Sequence, residues 1–161
     1  MIILGVDPGA NATGFGIITR DGSQSCHVAS GVIRPTRAAS VSRRLLEIHE
    51  GLDAVISEHR PSVMVVESLF HGQNSQSLMK LSQVRGVILL LGENYNMEIF
   101  EYSPMEIKMG LTGYGRADKR QMVYMVSRVL DLPRLKSTDE ADALAMALYH
   151  SQRWGFDRMA S

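Results

Sequence analysis

The order of strand-like and helix-like segments limits the fold more than any other feature of this chain. Three apolar segments, IILGVD, GFGIIT and CHVASGVI, fill the first third and are bounded by Gly, Pro, Asp or Ser, as in a β-meander. After them come a helical apolar period from Val41 to Ile56, the β-branched run SVMVVES, an apolar helix over 76–93 and the strand-like MEIFEYS. Antiparallel strands followed by alternating helices and strands predict an α/β fold with a mixed five-stranded sheet flanked by helices.

The last third of the chain is predicted to be mainly helical. SPMEIKMG indicates a short helix, LTGYGRA a glycine-containing loop and DKRQMVYMVSRVL a long helix, and a final helix begins at Thr138. No repeat or linker divides the 161 residues, which are enough for one full hydrophobic core. We therefore expect a single domain over 1–161, with a core of about 2–150 and a short C-terminal tail at 151–161.

The cysteine content and the apolar runs indicate where the protein works. Cys26 is the only cysteine, so an intrachain disulfide is excluded and a reducing compartment fits. The opening apolar run is too short for a signal peptide and lacks a basic leader. The run VILLL at 87–91 is far too short to span a membrane. We expect a cytoplasmic protein with no membrane segment.

The charges are balanced overall but unevenly distributed. The chain has 17 Lys and Arg residues and 17 Asp and Glu residues, so net charge does not indicate a nucleic-acid partner. Residues 106–136, however, hold seven basic side chains against three acidic ones, and TDEAD then places three carboxylates within four positions. A basic segment beside an acidic cluster suits a site where a polyanion meets metal ions, although solvated helix faces can give the same count.

Two predicted strands end on carboxylates. GVD ends at Asp7, and VVES carries Glu67 at the same place in its strand. A charge at the end of a core strand is costly to desolvate, so a partner is expected. Because the carboxyl ends of strands line the ligand crevice in α/β folds, we expect Asp7 and Glu67 to face one cleft.

The start of the final helix adds further acids. Thr138 is a good N-cap, and the helix dipole alone would account for Asp139 or Glu140. It accounts less well for Asp142, which lies about 60° from Asp139 on the helix surface, whereas Glu140 points elsewhere. Alanines around these positions would let the helix pack closely on the sheet. Asp7, Glu67, Asp139 and Asp142 are therefore predicted to form one cluster.

A cluster of four carboxylates needs cations, because like charges raise one another's pKa. Oxygen ligands favour Mg²⁺ or Mn²⁺. Two such ions at ~3.5–4 Å activate a water and stabilise the leaving oxygen in phosphodiester hydrolysis. The five histidines show no metal-ligand spacing, and His150 lies about 16 Å along the helix from Asp139, so we expect it on the surface or in the core.

Four sequence blocks, in order, resemble the RuvC family of bacterial Holliday-junction resolvases. They are GVDPGANATGFG, VVESLFHGQNSQSLMKLSQVRG, FEYSPMEIKMGLTGYGRADKRQM and TDEADALAMALYH. The resemblance implies an RNase H-like fold, a homodimer, and paired Mg²⁺-dependent incision of four-way DNA junctions in recombination and repair. Mn²⁺ is expected to substitute for Mg²⁺, with two ions in each active site. The family's catalytic acids match Asp7, Glu67, Asp139 and Asp142.

The resemblance also implies DNA-contacting residues and protein partners. Phe70 matches the aromatic residue that lies against unstacked bases at the crossover. Lys108 and Lys119 match basic residues that approach the scissile phosphate and the DNA backbone, Lys119 within the catalytic set. The helix at 76–93 matches the dimer-forming helix, and branch-migration proteins of the RuvA/RuvB type are expected partners.

Two surface arginines are further candidates for DNA contact. Arg116 and Arg120 lie in the same basic segment as Lys119, and a solvated surface position is the alternative for both.

Two other function classes fit parts of the sequence. DPGANATG also resembles the D-x-G phosphate loop of actin-like kinases, but such a kinase needs a second D-x-G loop and 161 residues contain none. A junction-binding protein without catalysis would keep the acids for folding only. ATP binding would identify the first class, and failure to cleave a synthetic junction would identify the second.

Overall fold

The structure is a computed structural model that describes residues 1–68, 75–133, 135 and 137–159, with the backbone alone for 155–159. Within these ranges the chain forms five strands and five helices. The strands are β1 (Ile2–Asp7), β2 (Thr13–Asp21), β3 (Gln24–Ile33), β4 (Val63–Glu67) and β5 (Glu98–Tyr102). The helices are α1 (Val41–His59), α2 (Ser75–Asn94), α3 (Pro104–Thr112), α4 (Lys119–Val129) and α5 (Thr138–Met159).

The strands form one mixed sheet in the order β3-β2-β1-β4-β5. β2 pairs antiparallel with both β1 and β3, whereas β4 pairs parallel with both β1 and β5. Gly22 makes the tight β2–β3 turn at a φ of 56°, which a glycine adopts without strain. The predicted mixed sheet, with its antiparallel strands first in the sequence, is confirmed.

Alternate residues of the central strands are buried on opposite sides of the sheet. Ile3 of β1 and Val65 of β4 pack against α3, α4 and α5, whereas Leu4 and Val66 pack against α1 and α2. A strand turns successive side chains to opposite faces, so both faces of β1 and β4 lie in a core. The uninterrupted apolar runs in these two strands follow from that double burial.

Glycines in β1 and β2 let α5 lie unusually close to the sheet. A Cβ atom at Gly5 would stand 2.0 Å from the Ala143 carbonyl oxygen, and one at Gly14 would stand 2.1 Å from the Asp139 carbonyl oxygen. A side chain at either position would therefore force the helix backbone away from the sheet. Ala143, Ala145 and the other alanines of this helix segment are buried, as the sequence predicted.

Local capping explains where the helices near the site begin. Ser103 and Glu106 form a reciprocal capping box at the start of α3, with Pro104 at the first turn. Asp118 and Gln121 form a second capping box at the start of α4. Both helices thus begin at defined residues, which fixes Lys119 as the first residue of α4.

The extent of α5 differs from the expectation. α5 continues to Met159, so most of the expected tail at 151–161 is helical. In the single chain α2 buries one side against the sheet, where Val84, Ile88 and Leu91 are buried. In the parts of the chain that are described, no helix combines the length and the hydropathy needed to cross a membrane.

His150 has the core position that was one of its two expected places. It is buried on α5, and its Nδ1 atom lies 2.8 Å from the Tyr102 hydroxyl.

Candidate active site

Asp7 and Glu67 end two neighbouring parallel strands on the same side of the sheet. Val6 and Val66 are paired in the ladder, so the two acids follow at the same level. Ile3 and Val65 face α5, and the period of two places Asp7 and Glu67 on that face as well. The strands therefore bring both carboxylates to the carboxyl edge of the sheet, beneath the start of α5.

Gly14 brings the third and fourth acids to the same place. It is the antiparallel partner of Asp7 in β2, and the Asp139 backbone lies directly against it. A larger residue at this point would separate the helix from the strand. The first turn of α5 is thus held beside Asp7, and Asp142 follows one turn later on the same face.

The four acids line one cleft of about 310 Å³ together with Lys108 and Lys119. α3 contributes Lys108 and α4 contributes Lys119. Apolar side chains complete the cleft wall: Pro104, Ile107, Met122, Ala145 and Met146. Six of the sequence-predicted site residues are therefore brought together.

The two predicted arginine contacts lie outside the cleft. Arg116 and Arg120 are exposed and do not line the cleft. Phe70 lies outside the described residues, so its predicted contact with unstacked bases stays a prediction.

Burial and mutual repulsion raise the pKa values of three acids. The pKa of Asp7 rises from 3.8 to about 8, chiefly because the carboxyl is buried and then because Asp142, Glu67 and Asp139 are close. Burial also raises the pKa of Glu67, followed by repulsion from Asp142. The pKa of Asp142 is raised by burial, partly offset by Lys119.

The two lysines act against this repulsion. Lys119 lowers the pKa values of Asp7, Glu67 and Asp142, and Lys108 lowers those of Glu67 and Asp142. Both lysines line the same cleft as the acids, so their positive charges offset part of the repulsion between the carboxylates. A cleft that holds four carboxylates and two lysines can bind a cation and an anion side by side.

The donor chemistry of the cluster fits hard divalent cations. All four candidate ligands are carboxylates, which hard divalent cations prefer, and the raised pKa values of Asp7, Glu67 and Asp142 show that these three charges are under-compensated. Among the described residues, no group of three Asp, Glu, His or Cys side chains is positioned to hold a metal ion as it stands. The fit therefore rests on the charge of the acids and on the cleft that they share.

Glu140 points away from the cleft, as its helix position predicted, but it is not on the surface. Its side chain is only 4% exposed, and the Ser30 hydroxyl donates a hydrogen bond to Oε1 over 2.7 Å. The His27 Nε2 atom lies 2.8 Å from the same hydroxyl. Glu140 thus anchors the start of α5 to the edge strand β3, a contact between residues far apart in sequence.

Comparison with known proteins assigns the chain to a family. Residues 3–150 match the family model described as crossover junction endodeoxyribonuclease RuvC. The chain belongs to the RuvC family. A RuvC protein from Natranaerobius thermophilus is 44% identical to this chain over 96% of each sequence. Another, from Citrifermentans bemidjiense, is 39% identical over 99% of this chain and 97% of the relative.

A solved RuvC structure has the same fold. Thermus thermophilus RuvC in complex with Holliday junction substrate superposes with a TM-score of 0.91 and 26% identity, over 98% of this chain and 96% of that one. This similarity confirms the expected RNase H-like resolvase fold. Membership of the RuvC family also favours a nuclease over the nucleotide-binding phosphotransferase considered from the DPGANATG loop.

Proposed function

We propose that this protein resolves four-way (Holliday) DNA junctions by paired, metal-dependent hydrolysis of phosphodiester bonds during recombination and repair. The observation that carries the proposal is a single cleft with four carboxylates and two lysines in a chain of the RuvC family. The Thermus thermophilus relative was solved with a Holliday junction substrate. We therefore assign the cleft as the place where the junction strand is cut.

Asp7, Glu67, Asp139 and Asp142 are proposed to hold Mg²⁺, with Mn²⁺ able to substitute and two ions in each site. Divalent ions bound there would supply an activated water and positive charge at the leaving oxygen. The protein contributes the buried position of Asp7, which resists ionisation until a cation is present. The close contact between Gly14 and α5 keeps the acids of strand and helix together.

Lys108 and Lys119 are proposed to hold the scissile phosphate. Lys119 is the first residue of α4, whose N-terminus is capped by Asp118, so we assign the phosphate contact to the Lys119 ammonium group. Lys108 lies on α3 at the same cleft. Two lysines in the same cleft as four carboxylates would orient a phosphate toward the acids.

DNA contacts outside the cleft are proposed for three residues. Phe70 would lie against an unstacked base, where stacking is worth roughly 1–3 kcal/mol. Arg116 and Arg120 are exposed near Lys119 in sequence and would meet the phosphate backbone further from the cut.

We propose that the protein is a homodimer formed through α2, over the predicted range 76–93. Met79 is 65% exposed and Leu90 is 58% exposed, although both lie on a helix whose other side is buried. Gly86 lies between them on the same face, and among the described residues no atom beyond its chain neighbours and the local helix backbone lies within 4 Å of a Cβ built there. Such a face allows close approach of a second helix, and two-fold symmetry would supply two cuts.

The cellular setting is also proposed. The domain would work in the cytoplasm as one unit over 1–161, and branch-migration proteins of the RuvA/RuvB type would present the junction to it.

The test is incubation of the purified protein with a synthetic mobile four-way junction and Mg²⁺ or Mn²⁺, beside a linear duplex of the same sequence. We expect nicks at symmetric positions in two opposing strands and no cleavage of the duplex. A junction that is bound but never cut would support a catalytically silent binder. ATP binding without junction cleavage would support the phosphotransferase.

A further inference from the structure

A buried arginine on α2 contacts the backbone of one of the four acids. Arg85 is only 8% exposed, and its Nη1 atom donates a hydrogen bond to the Glu67 carbonyl oxygen over 2.7 Å. Its Nη2 atom lies 2.5 Å from Glu101 Oε2. Both ends of the guanidinium fork are therefore occupied, one by β4 and one by β5.

Packing of α2 on the sheet does not by itself call for an arginine at position 85. Val84, Ile88 and Leu91 already bury the inner side of this helix. A buried guanidinium adds a desolvation cost that an apolar residue would avoid. A charged residue at this position is therefore better explained by what it contacts than by helix packing.

The contact is with the last residue of β4, where the chain leaves the sheet. The Ser68 amide donates to the Tyr102 carbonyl oxygen over 2.9 Å, which ties the next residue to β5. Arg85 holds the carbonyl of Glu67 itself, so the peptide group after the Glu67 Cα atom is fixed from both sides.

We propose that Arg85 is a positioning residue that links α2 to the Glu67 carboxylate. It fixes the end of β4 through the Glu67 carbonyl, and Glu101 in turn holds the guanidinium in place. The next residue, Gly86, belongs to the outer face of α2 that we assign to the dimer. One turn of α2 therefore connects the dimer face to the active site, an inference that rests on the proposed function of that site.

The test measures Mn²⁺ binding to the protein without DNA, by isothermal titration calorimetry, in Arg85→Gln, Arg85→Lys and Glu101→Gln. Loss of a partner that orients a metal ligand costs about 10–100-fold in affinity. We expect the Mn²⁺ dissociation constant to rise at least about tenfold in Arg85→Gln. The dissociation constant of Arg85→Lys should rise less, because an ammonium group supplies one point contact where the guanidinium supplies a fork. The dissociation constant of Glu101→Gln should rise least.

Lys80→Gln is the matched control, since it removes one positive charge from an exposed position of the same helix. It should bind Mn²⁺ as the wild type does. Wild-type Mn²⁺ affinity in a folded Arg85→Gln protein would overturn the proposal. If that variant does not fold by circular dichroism, unchanged affinity in both Arg85→Lys and Glu101→Gln would overturn it.

Junction cleavage by the same wild-type preparation separates this proposal from the proposed function. A wild type that binds Mn²⁺ but cuts no junction contradicts the resolvase function, while the graded loss of Mn²⁺ affinity still supports Arg85 as a positioning residue. A wild type that cuts the junction but binds no Mn²⁺ without DNA overturns the positioning role alone, and one that neither cuts nor binds overturns both.

Discussion

Replacing Asp7 with asparagine should stabilise the metal-free protein at neutral pH. The pKa of Asp7 is about 8 in the folded chain against an ordinary value of 3.8, so the folded state binds this proton more tightly than the unfolded state does. The contribution of this proton to the free energy of unfolding is fully present below about pH 4 and is lost as the pH rises toward about 8. Asp7→Asn keeps the shape and removes the titration.

The size of the effect follows from the shift. Each pKa unit is worth about 1.36 kcal/mol, so ionisation of Asp7 in the unfolded chain alone lowers the free energy of unfolding by up to about 4 kcal/mol between pH 4 and pH 7. For a domain of this size, 1 kcal/mol moves Tm by about 2–4 °C. We therefore expect metal-free Asp7→Asn to melt up to roughly 10 °C above the wild type at pH 7, and the two to converge near pH 4.

The assay is differential scanning calorimetry of both proteins in EDTA from pH 4 to pH 9. The difference between the two Tm curves isolates Asp7, because the other acids titrate in both proteins. Added Mn²⁺ should then stabilise the wild type more than the variant, since ligand binding stabilises only the protein that binds it. Parallel Tm curves across this pH range would refute the assignment of a buried, under-compensated carboxyl at Asp7.

Three further outcomes are expected. Gly14→Ala should reduce single-turnover junction cleavage by at least about tenfold, because its Cβ would displace α5 from β1, and wild-type cleavage would contradict that packing. Lys119→Ala should flatten the salt dependence of junction binding by about one unit of slope in gel shifts, and an unchanged slope would place Lys119 outside the phosphate contacts. Leu90→Glu should give a monomer in light scattering with a similar melting temperature, whereas an intact dimer would exclude this face of α2.

Local sequence patterns were enough to predict most of the fold. The bounds of β1, β4 and α2 follow from apolar runs and their flanking residues, which depend only on near neighbours. The strand-end position of Asp7 and Glu67 and the helical facing of Asp139 and Asp142 also follow from regular geometry. These four acids line the same cleft, as predicted.

What the sequence could not predict depends on contacts between distant residues. Glu140 is bonded to Ser30, 110 positions away, and nothing in the TDEAD segment indicates that partner. Arg85 interrupts an apolar helix, but its contact with the Glu67 backbone emerges only once β4 and α2 are packed together. The sequence does show a charged residue within a mainly apolar helix, and this was the signal from which such a contact could have been predicted.

The central claim is that the acids facing the cleft cut the junction, and two residues of one helix turn test it directly. Asp142 lines the cleft, whereas Glu140 is held by Ser30 on the other side of α5. Glu140→Gln keeps an oxygen that can accept the Ser30 hydrogen bond, so any loss should be in stability, about 0.5–1.5 kcal/mol.

The measurement is single-turnover cleavage of a four-way junction in Mg²⁺, at a temperature where circular dichroism shows both variants folded. We predict that Asp142→Asn loses cleavage by orders of magnitude while still binding the junction in Ca²⁺, and that Glu140→Gln cleaves at close to the wild-type rate. An active Asp142→Asn beside an inactive, folded Glu140→Gln would contradict the assignment of this cleft as the cutting site.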